Sequence, residues 1–321
     1  MRLLSHPILL EHNTGPGHPE RRQRLEAFGP LEPASNIPDG AEFLELIHPK
    51  TYIETVRQNC ARNLPLDGDT RCSTNSFEAA ATAVGLTILA MQQGDFALVR
   101  PPGHHAYRAE GHGFCLFNNI AVAAQQAVNE GKRVLIVDFD GHLGDGTMDI
   151  FYRTDQVLYW SLHQYPAYPG NGSSIDIGAG AGTGFTINCP LPSGSGDDIF
   201  RHAVECMLPA AIQFEPDVVA ISAGFDAHQF DPLLQLRATG NFFHWIGQTL
   251  QTTFPGKCFA ALEGGYNLEE LPRSAQNFLA GVNGTAMPYP ESATDSGQLC
   301  WETYELYLQQ GIGALRKFWK F

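Results

Sequence analysis

Val134-Leu-Ile-Val-Asp138-Phe-Asp140-Gly-His142-Leu-Gly-Asp145-Gly-Thr147 is a short apolar run that breaks directly into acids and a histidine. A run of this kind, rich in β-branched residues, reads as a strand buried on both faces, the pattern of a parallel sheet covered by helices. Four further runs match it: Phe96–Val99, Val157–Leu162, Val218–Ser222 and Cys258–Leu262. Between them Ser76–Gln93, Asn119–Glu130, Asp198–Phe214 and Asn241–Thr253 have helical composition, so β and α elements alternate. The expectation is one α/β domain over residues 1–321. The glycine-rich Gly170–Gly184 and Pro190–Gly196 read as a long loop, since strand and helix signals resume after them.

Composition narrows the function. Twenty Lys and Arg against 34 Asp and Glu leave a net charge of −14, which disfavours nucleic acid and anionic membrane as partners. With 43% hydrophobic and 17% charged residues the chain can bury a large core. Its longest apolar stretches, such as Ala79–Met91, fall short of the roughly 20 residues that span a bilayer. His6 and Pro7 interrupt the start before an apolar signal core develops, so a cytoplasmic protein is expected. The seven cysteines form no CxxC pair, which points to buried thiols rather than a disulfide framework or a thiolate zinc finger.

In open parallel sheets ligands bind beyond the carboxyl ends of the strands. His104 and His105 follow one strand, Asp138, Asp140, His142 and Asp145 another, Asp226 a third and Tyr266 a fourth. Asp140 and His142, two apart on extended chain, can project to the same side. Together with Asp226 they offer two carboxylates and one imidazole, the make-up of a catalytic zinc site with an open position; the same donors also suit iron(II). Read alone, the Asp-x-Asp-x-His string also fits a capping or ion-pair cluster at a helix start. His104 and His105 can exchange protons beside the metal if acids such as Asp138 and Asp145 orient them, and each also fits a hydrogen-bonded structural role. Tyr266, after two glycines, can donate to a developing oxyanion or serve as a core tyrosine.

These motifs, with Gly17-His-Pro-Glu-Arg-Arg-Gln-Arg-Leu25, His48-Pro-Lys-Thr-Tyr52-Ile, Leu98-Val-Arg-Pro-Pro-Gly-His-His-Ala106, Gly113-Phe-Cys-Leu-Phe-Asn-Asn-Ile120, Ser161-Leu-His-Gln-Tyr165 and Leu262-Glu-Gly-Gly-Tyr266-Asn, run through most of the chain. The whole resembles the zinc-dependent histone deacetylase family, nearer its class II and bacterial deacetylase-like members. The resemblance implies the arginase/deacetylase fold, a central parallel sheet of about eight strands flanked by helices. It implies one Zn2+ on Asp140, His142 and Asp226, His104 paired with Asp138, and His105 paired with Asp145 as general base and then acid. Tyr266 becomes the oxyanion donor. Gly113, Phe114 and Tyr168 would line a tunnel for the stem of an acylated lysine or other amine. Structural K+ would sit at Asp138, Asp140, His142, Ser161 and Leu162, with a weaker site at Phe151, Thr154 and Val157. Asp69 would contact substrate backbone at the rim.

The chain departs from the family pattern at Gly141, where Val is usual, and at Leu143, where a second His is usual. Gly141 is expected to loosen the backbone and Leu143 to delete a polar contact behind the site. Gly144 and His228 stand where arginase-like enzymes carry extra metal-binding carboxylates, which favours one zinc over two manganese ions. Leu233 stands where polyamine-selective relatives carry an acidic gatekeeper. The expected activity is zinc-dependent removal of an acetyl or related acyl group from lysine or another primary amine. An acetylpolyamine amidohydrolase and a catalytically weak acyl-lysine binding module are the alternatives. His6, His12, His18 and His48 join the site by no spacing argument, and His18 with Arg21–Arg24 reads as loop packing or as a contact to product acetate.

Overall fold

The computed structural model describes residues 1–321. Seven parallel strands form one sheet: β1 (Leu3–Leu4), β2 (Phe96–Ala97), β3 (Val134–Asp138), β4 (Val157–Gln164), β5 (Thr186–Leu191), β6 (Val218–Ala223) and β7 (Cys258–Leu262). That is one strand fewer than the about eight the resemblance implies. The order across the sheet is β1-β2-β7-β6-β3-β4-β5. From β3 the chain steps outward through β4 and β5, then returns to lay β6 on the other side of β3, with Asp138 in register with both Ser161 and Ser222. The strand order therefore reverses at β3 and β6, and the crevice outside their carboxyl ends is where ligands bind in this architecture.

The helices are α1 (Gln23–Glu26), α2 (Lys50–Arg62), α3 (Ser76–Gln93), α4 (Asn119–Asn129), α5 (Asp145–Phe151), α6 (Asp197–Phe214), α7 (Gly240–Thr253), α8 (Glu270–Val282) and α9 (Gln298–Leu315). Three of the four expected helices are found within a residue or two of their limits, and α3 has the expected ones. Its alanine-rich turns are buried almost all round against α4, β2 and β7, and it stops at Gly94 in the left-handed conformation. Asn118 caps α4 by accepting from the Ala121 amide, and Thr239 caps α7 through the Asn241 amide. β3 is wholly buried, and each of its aliphatic side chains contributes about 1.5–3 kcal/mol of burial.

The expected loop holds only in part. Pro190 and Leu191 end β5, which pairs with β4 alone, and at such a sheet edge proline is tolerated. The acid-rich string after β3 does start a helix, since α5 begins at Asp145, but its N-cap Gly144 supplies no side-chain bond. All seven cysteines are free thiols. No helix is long and apolar enough to cross a membrane.

Candidate active site

The loop after β3 brings Asp140 and His142 against Asp226, from the loop after β6. Their ligand atoms lie within 4.8 Å of one another. His142 Nδ1 is 2.8 Å from Asp226 Oδ2 and 3.3 Å from Asp140 Oδ1. Both carboxylates are completely buried, and backbone amides aim them: Gly264 donates to Asp140 Oδ2 at 2.6 Å, His142 to Asp140 Oδ1 at 2.9 Å and Gly141 to Asp226 Oδ1 at 2.7 Å. A Cβ on Gly264 would overlap both carboxylates, so glycine is required there by close approach.

Burial disfavours the charged form of His142, yet the Asp226 and Asp140 carboxylates outweigh it and raise the imidazole to about 10. Two carboxylates and one imidazole around a shared point, with no Lys or Arg among them, are the donor set of a three-ligand Zn2+ site, so these residues fit the ion.

His104 and His105 stand beside this cluster, their rings 4.1 Å apart. His105 Nδ1 lies 2.7 Å from Asp145 Oδ1, and His104 Nδ1 lies 3.2 Å from Asp138 Oδ2. Each expected His–Asp pair is thus formed. Burial and the neighbouring His104 charge push His105 down to about 4. His104 moves the other way: burial opposes its charge, but Asp140 and Asp138 hold it well above the ordinary imidazole range. The two rings are pushed in opposite directions.

Tyr266 and His142 each keep 9% of their surface exposed, so solvent meets the site only narrowly. Phe114 packs edge-on against Tyr266, with ring centroids 6.0 Å apart. Tyr168 packs against His105 at 5.2 Å and His142 at 6.2 Å. Gly113 and Phe114 both hold positive φ (55° and 70°), a cost for Phe114 that the Thr70 hydroxyl offsets by accepting the Phe114 amide at 3.1 Å. Asp69 precedes Thr70, and its carbonyl accepts from His18 at 2.9 Å. His18 also packs on Phe114 at 4.8 Å, so it belongs to the rim, which spacing did not show. Leu233 is 37% exposed and follows Asp231, whose carboxylate accepts from the Leu233 and Tyr266 amides.

The departures from the family pattern have local causes. Gly141 leaves room that the Leu234 side chain fills, so the site is packed rather than loosened. Leu143 is wholly buried in the core. His228 is turned toward Glu291, 3.0 Å from its Nε2, and its Nδ1 accepts from the Phe230 amide, so neither nitrogen bonds Asp140 or Asp226. Ser161 and Leu162 lie on β4 beside β3, while Phe151, Thr154 and Val157 line a separate cleft of about 200 Å³.

Several contributing residues escaped the sequence reading. Glu263, completely buried, accepts from the Gly103 and His104 amides at 2.7 and 3.1 Å, and burial pushes it up to about 7. Tyr159 donates to Asp138 Oδ2 at 2.9 Å. Glu20 joins buried Arg100 and Arg24, and Arg24 donates to the Glu263 and Gly265 carbonyls and lies 5.0 Å over the Tyr266 ring. The signal for Glu263 was an acid at the very end of a buried strand. For Glu20 it was charge inside a recognised motif, and Arg24, read as loop packing, does hold a loop through the Glu263 and Gly265 carbonyls.

Fold and site together describe a parallel α/β protein with a buried cluster of acids and histidines at the carboxyl ends of its strands. Residues 18–282 match the histone deacetylase domain, and the chain belongs to that family. It is 34% identical to a probable deacetylase of Archaeoglobus fulgidus, over 90% of this chain and 89% of that one. It is 40% identical to the chloroplastic histone deacetylase 10 of Oryza sativa subsp. japonica over 74% of this chain, spanning 59% of that longer protein. A crystal structure of the HDA15 HD domain superposes with a TM-score of 0.89 at 32% identity, covering 99% of this chain and 97% of that one.

Proposed function

We propose that the chain is a zinc-dependent amidohydrolase that removes an acetyl or related acyl group from lysine or another primary amine. The observation that carries this reading is the convergence of two wholly buried carboxylates and an imidazole beside two acid-paired histidines. Asp140, His142 and Asp226 would hold the Zn2+, whose chemistry is to polarise the amide carbonyl and lower the pKa of water. His105, its Nδ1 tied to Asp145, has Nε2 free to take a proton from water and return it to the departing amine. Burial and the neighbouring His104 charge favour its neutral form, the form that can accept a proton. His104 and Asp138 supply a charged pair beside it. The Tyr266 hydroxyl donates to the carbonyl oxygen as negative charge builds there. Gly113, Phe114 and Tyr168 would enclose a slim apolar stem, and Asp69 would engage the substrate backbone at the rim. The proposal extends to K+ at Asp138, Asp140, His142, Ser161 and Leu162, and at Phe151, Thr154 and Val157.

The apolar Leu233 at the rim argues for acylated lysine over an acetylpolyamine. Of the two departures behind the binding-module alternative, Gly141 is weakened as a motive because Leu234 packs the space it leaves, and Leu143 stands.

The test is amine release from acetyl-lysine peptide, longer-acyl-lysine peptide and acetylated polyamine by zinc-loaded, chelator-treated and His105→Ala protein. Turnover should need both zinc and His105, with the variant down ~10²–10⁴-fold. Equal turnover by His105→Ala would refute the mechanism.

A further inference from the structure

One polar chain at the site passes through a residue, His112, that has no part in the proposed reaction. It runs from the tunnel wall to the acid that orients the general base. Tyr168 OH lies 2.7 Å from His112 Nδ1. On the other side of the same ring, buried Nε2 makes no aligned hydrogen bond, and the acceptor it faces is Asp145 Oδ2, 3.3 Å away. Asp145 Oδ2 also accepts from Tyr107 OH at 2.9 Å, and Tyr107 stacks under His112 with rings 5.2 Å apart and 19° from parallel. The second oxygen, Oδ1, holds His105 at 2.7 Å.

We propose that His112 is a positioning residue that couples the Tyr168 hydroxyl to the Asp145–His105 pair, so that Tyr168 serves as wall through its ring and as the outer end of a relay through its oxygen. This rests on the deacetylase reading of that pair.

The direction of the relay follows from donor counting. A lone pair on Nε2 would face a buried carboxylate, which is repulsive, so Nε2 carries hydrogen. In the neutral ring Nδ1 then accepts from the Tyr168 hydroxyl, and in the charged ring it donates to the phenol oxygen. Either way one arm reaches Asp145 and the other Tyr168. The ring thereby joins Tyr107 in holding the second oxygen of Asp145, which helps fix the carboxylate plane and with it the direction of His105. Tyr168 is 47% exposed, so it is the member of the chain that an arriving substrate stem would touch. A ligand that packs on the phenol would set the hydrogen bond to His112 and, two groups further on, the aim of the base.

Tyr168→Phe removes one oxygen and keeps the ring, and His112→Met keeps bulk while removing both nitrogens. With zinc-loaded protein and acetyl-lysine peptide, each single variant should lose ~10-fold in kcat with KM within about twofold, the scale of lost support behind a catalytic group. The double variant should fall no further than the weaker single one, since both cut one chain. His112→Gln, which can donate with its amide nitrogen and accept with its oxygen, should recover most of the loss. A second readout needs no turnover: the 15N-bonded Nδ1 proton of His105 should shift in NMR spectra of both single variants and stay near wild type in His112→Gln. Losses confined to KM, losses that multiply in the double variant, or an unmoved His105 resonance would each overturn the relay. If wild-type protein hydrolyses no substrate, the deacetylase reading fails on its own, and the His105 resonance still decides for or against the relay.

Discussion

Gly264 has its place because two carboxylates approach its backbone where any side chain would stand. Gly264→Ala would push the Asp226 and Asp140 carboxylates off their amides. We expect at least a ~10-fold loss in zinc affinity, read as metal content per chain after dialysis against competing chelator. Wild-type zinc retention would show that the carboxylates tolerate displacement. Tyr266→Phe is the opposite case, because it spares the ligands and removes one donor. Its kcat should drop ~10²–10³-fold with metal content unchanged, and wild-type turnover would remove Tyr266 from its role. Asp140, His142, Asp226, His104, His105 and Tyr266 were legible because each follows a strand, and strand ends converge in a parallel sheet. Tyr159 was not. It reaches Asp138 from the adjoining β4, and alternation along one strand does not reveal which strand lies beside it. His112 was hidden for a similar reason, since its two partners lie 33 and 56 residues away.

The long interior strands were legible from continuous apolar runs, and the edges were not. β1 is two residues long, and β5 carries Asn188 and Pro190, so neither shows an apolar pattern of its own. Their place comes from pairing with β2 and β4. The N-terminal segment is held differently, through charge. Glu20 accepts from Arg100 Nε at 2.5 Å and Nη2 at 2.8 Å, and from Arg24 at 3.2 Å, with all three side chains completely buried. Arg24 carries the connection on to the Glu263 and Gly265 carbonyls, and so to the loop of Tyr266. Glu20→Gln would leave two buried guanidinium groups without a counter-charge, at a cost of about 3–5 kcal/mol. Urea denaturation should show that loss, and kcat should fall with it as the Tyr266 loop loses its anchor. A change under about 1 kcal/mol, the usual size for an exposed pair, would mean that the cluster does not secure the segment.

Neutral histidines buried through the body of the protein set how the whole chain meets acid. His12, His48 and His163 are each pushed down to about 4 by burial. His48 shows why: Nε2 accepts from the Asn118 amide and Nδ1 faces the Arg108 carbonyl, both at 3.0 Å, so a second proton would meet an N–H head-on. In the unfolded chain such a ring titrates near ~6.5. Above that pH both states are neutral and the histidine leaves stability unchanged. As pH falls below it the unfolded chain takes a proton that the folded one refuses until about 4, so stability drops across that window and then levels. One histidine contributes a slope of about 1.4 kcal/mol per pH unit, and three together up to about 4. Glu20 acts lower: burial would raise it, but Arg100 holds it near 2, so its stabilisation is intact above the unfolded carboxyl range and fades only as pH falls toward 2. The histidines should therefore act from about pH 6.5 downward, while Glu263, pushed up to about 7 by burial, takes a proton in the folded chain over the same range and offsets the slope of about one of them. The decisive comparison is wild type against His48→Gln, which keeps a side-chain acceptor for Asn118 and cannot take up a proton. Urea-denaturation free energies at pH 7.5, 6 and 5 should differ in slope below pH 6.5 by about 1.4 kcal/mol per pH unit, the variant being the flatter. Effects of pH on the metal site cancel in that difference, so parallel curves would show that His48 is not refusing its proton in the folded chain.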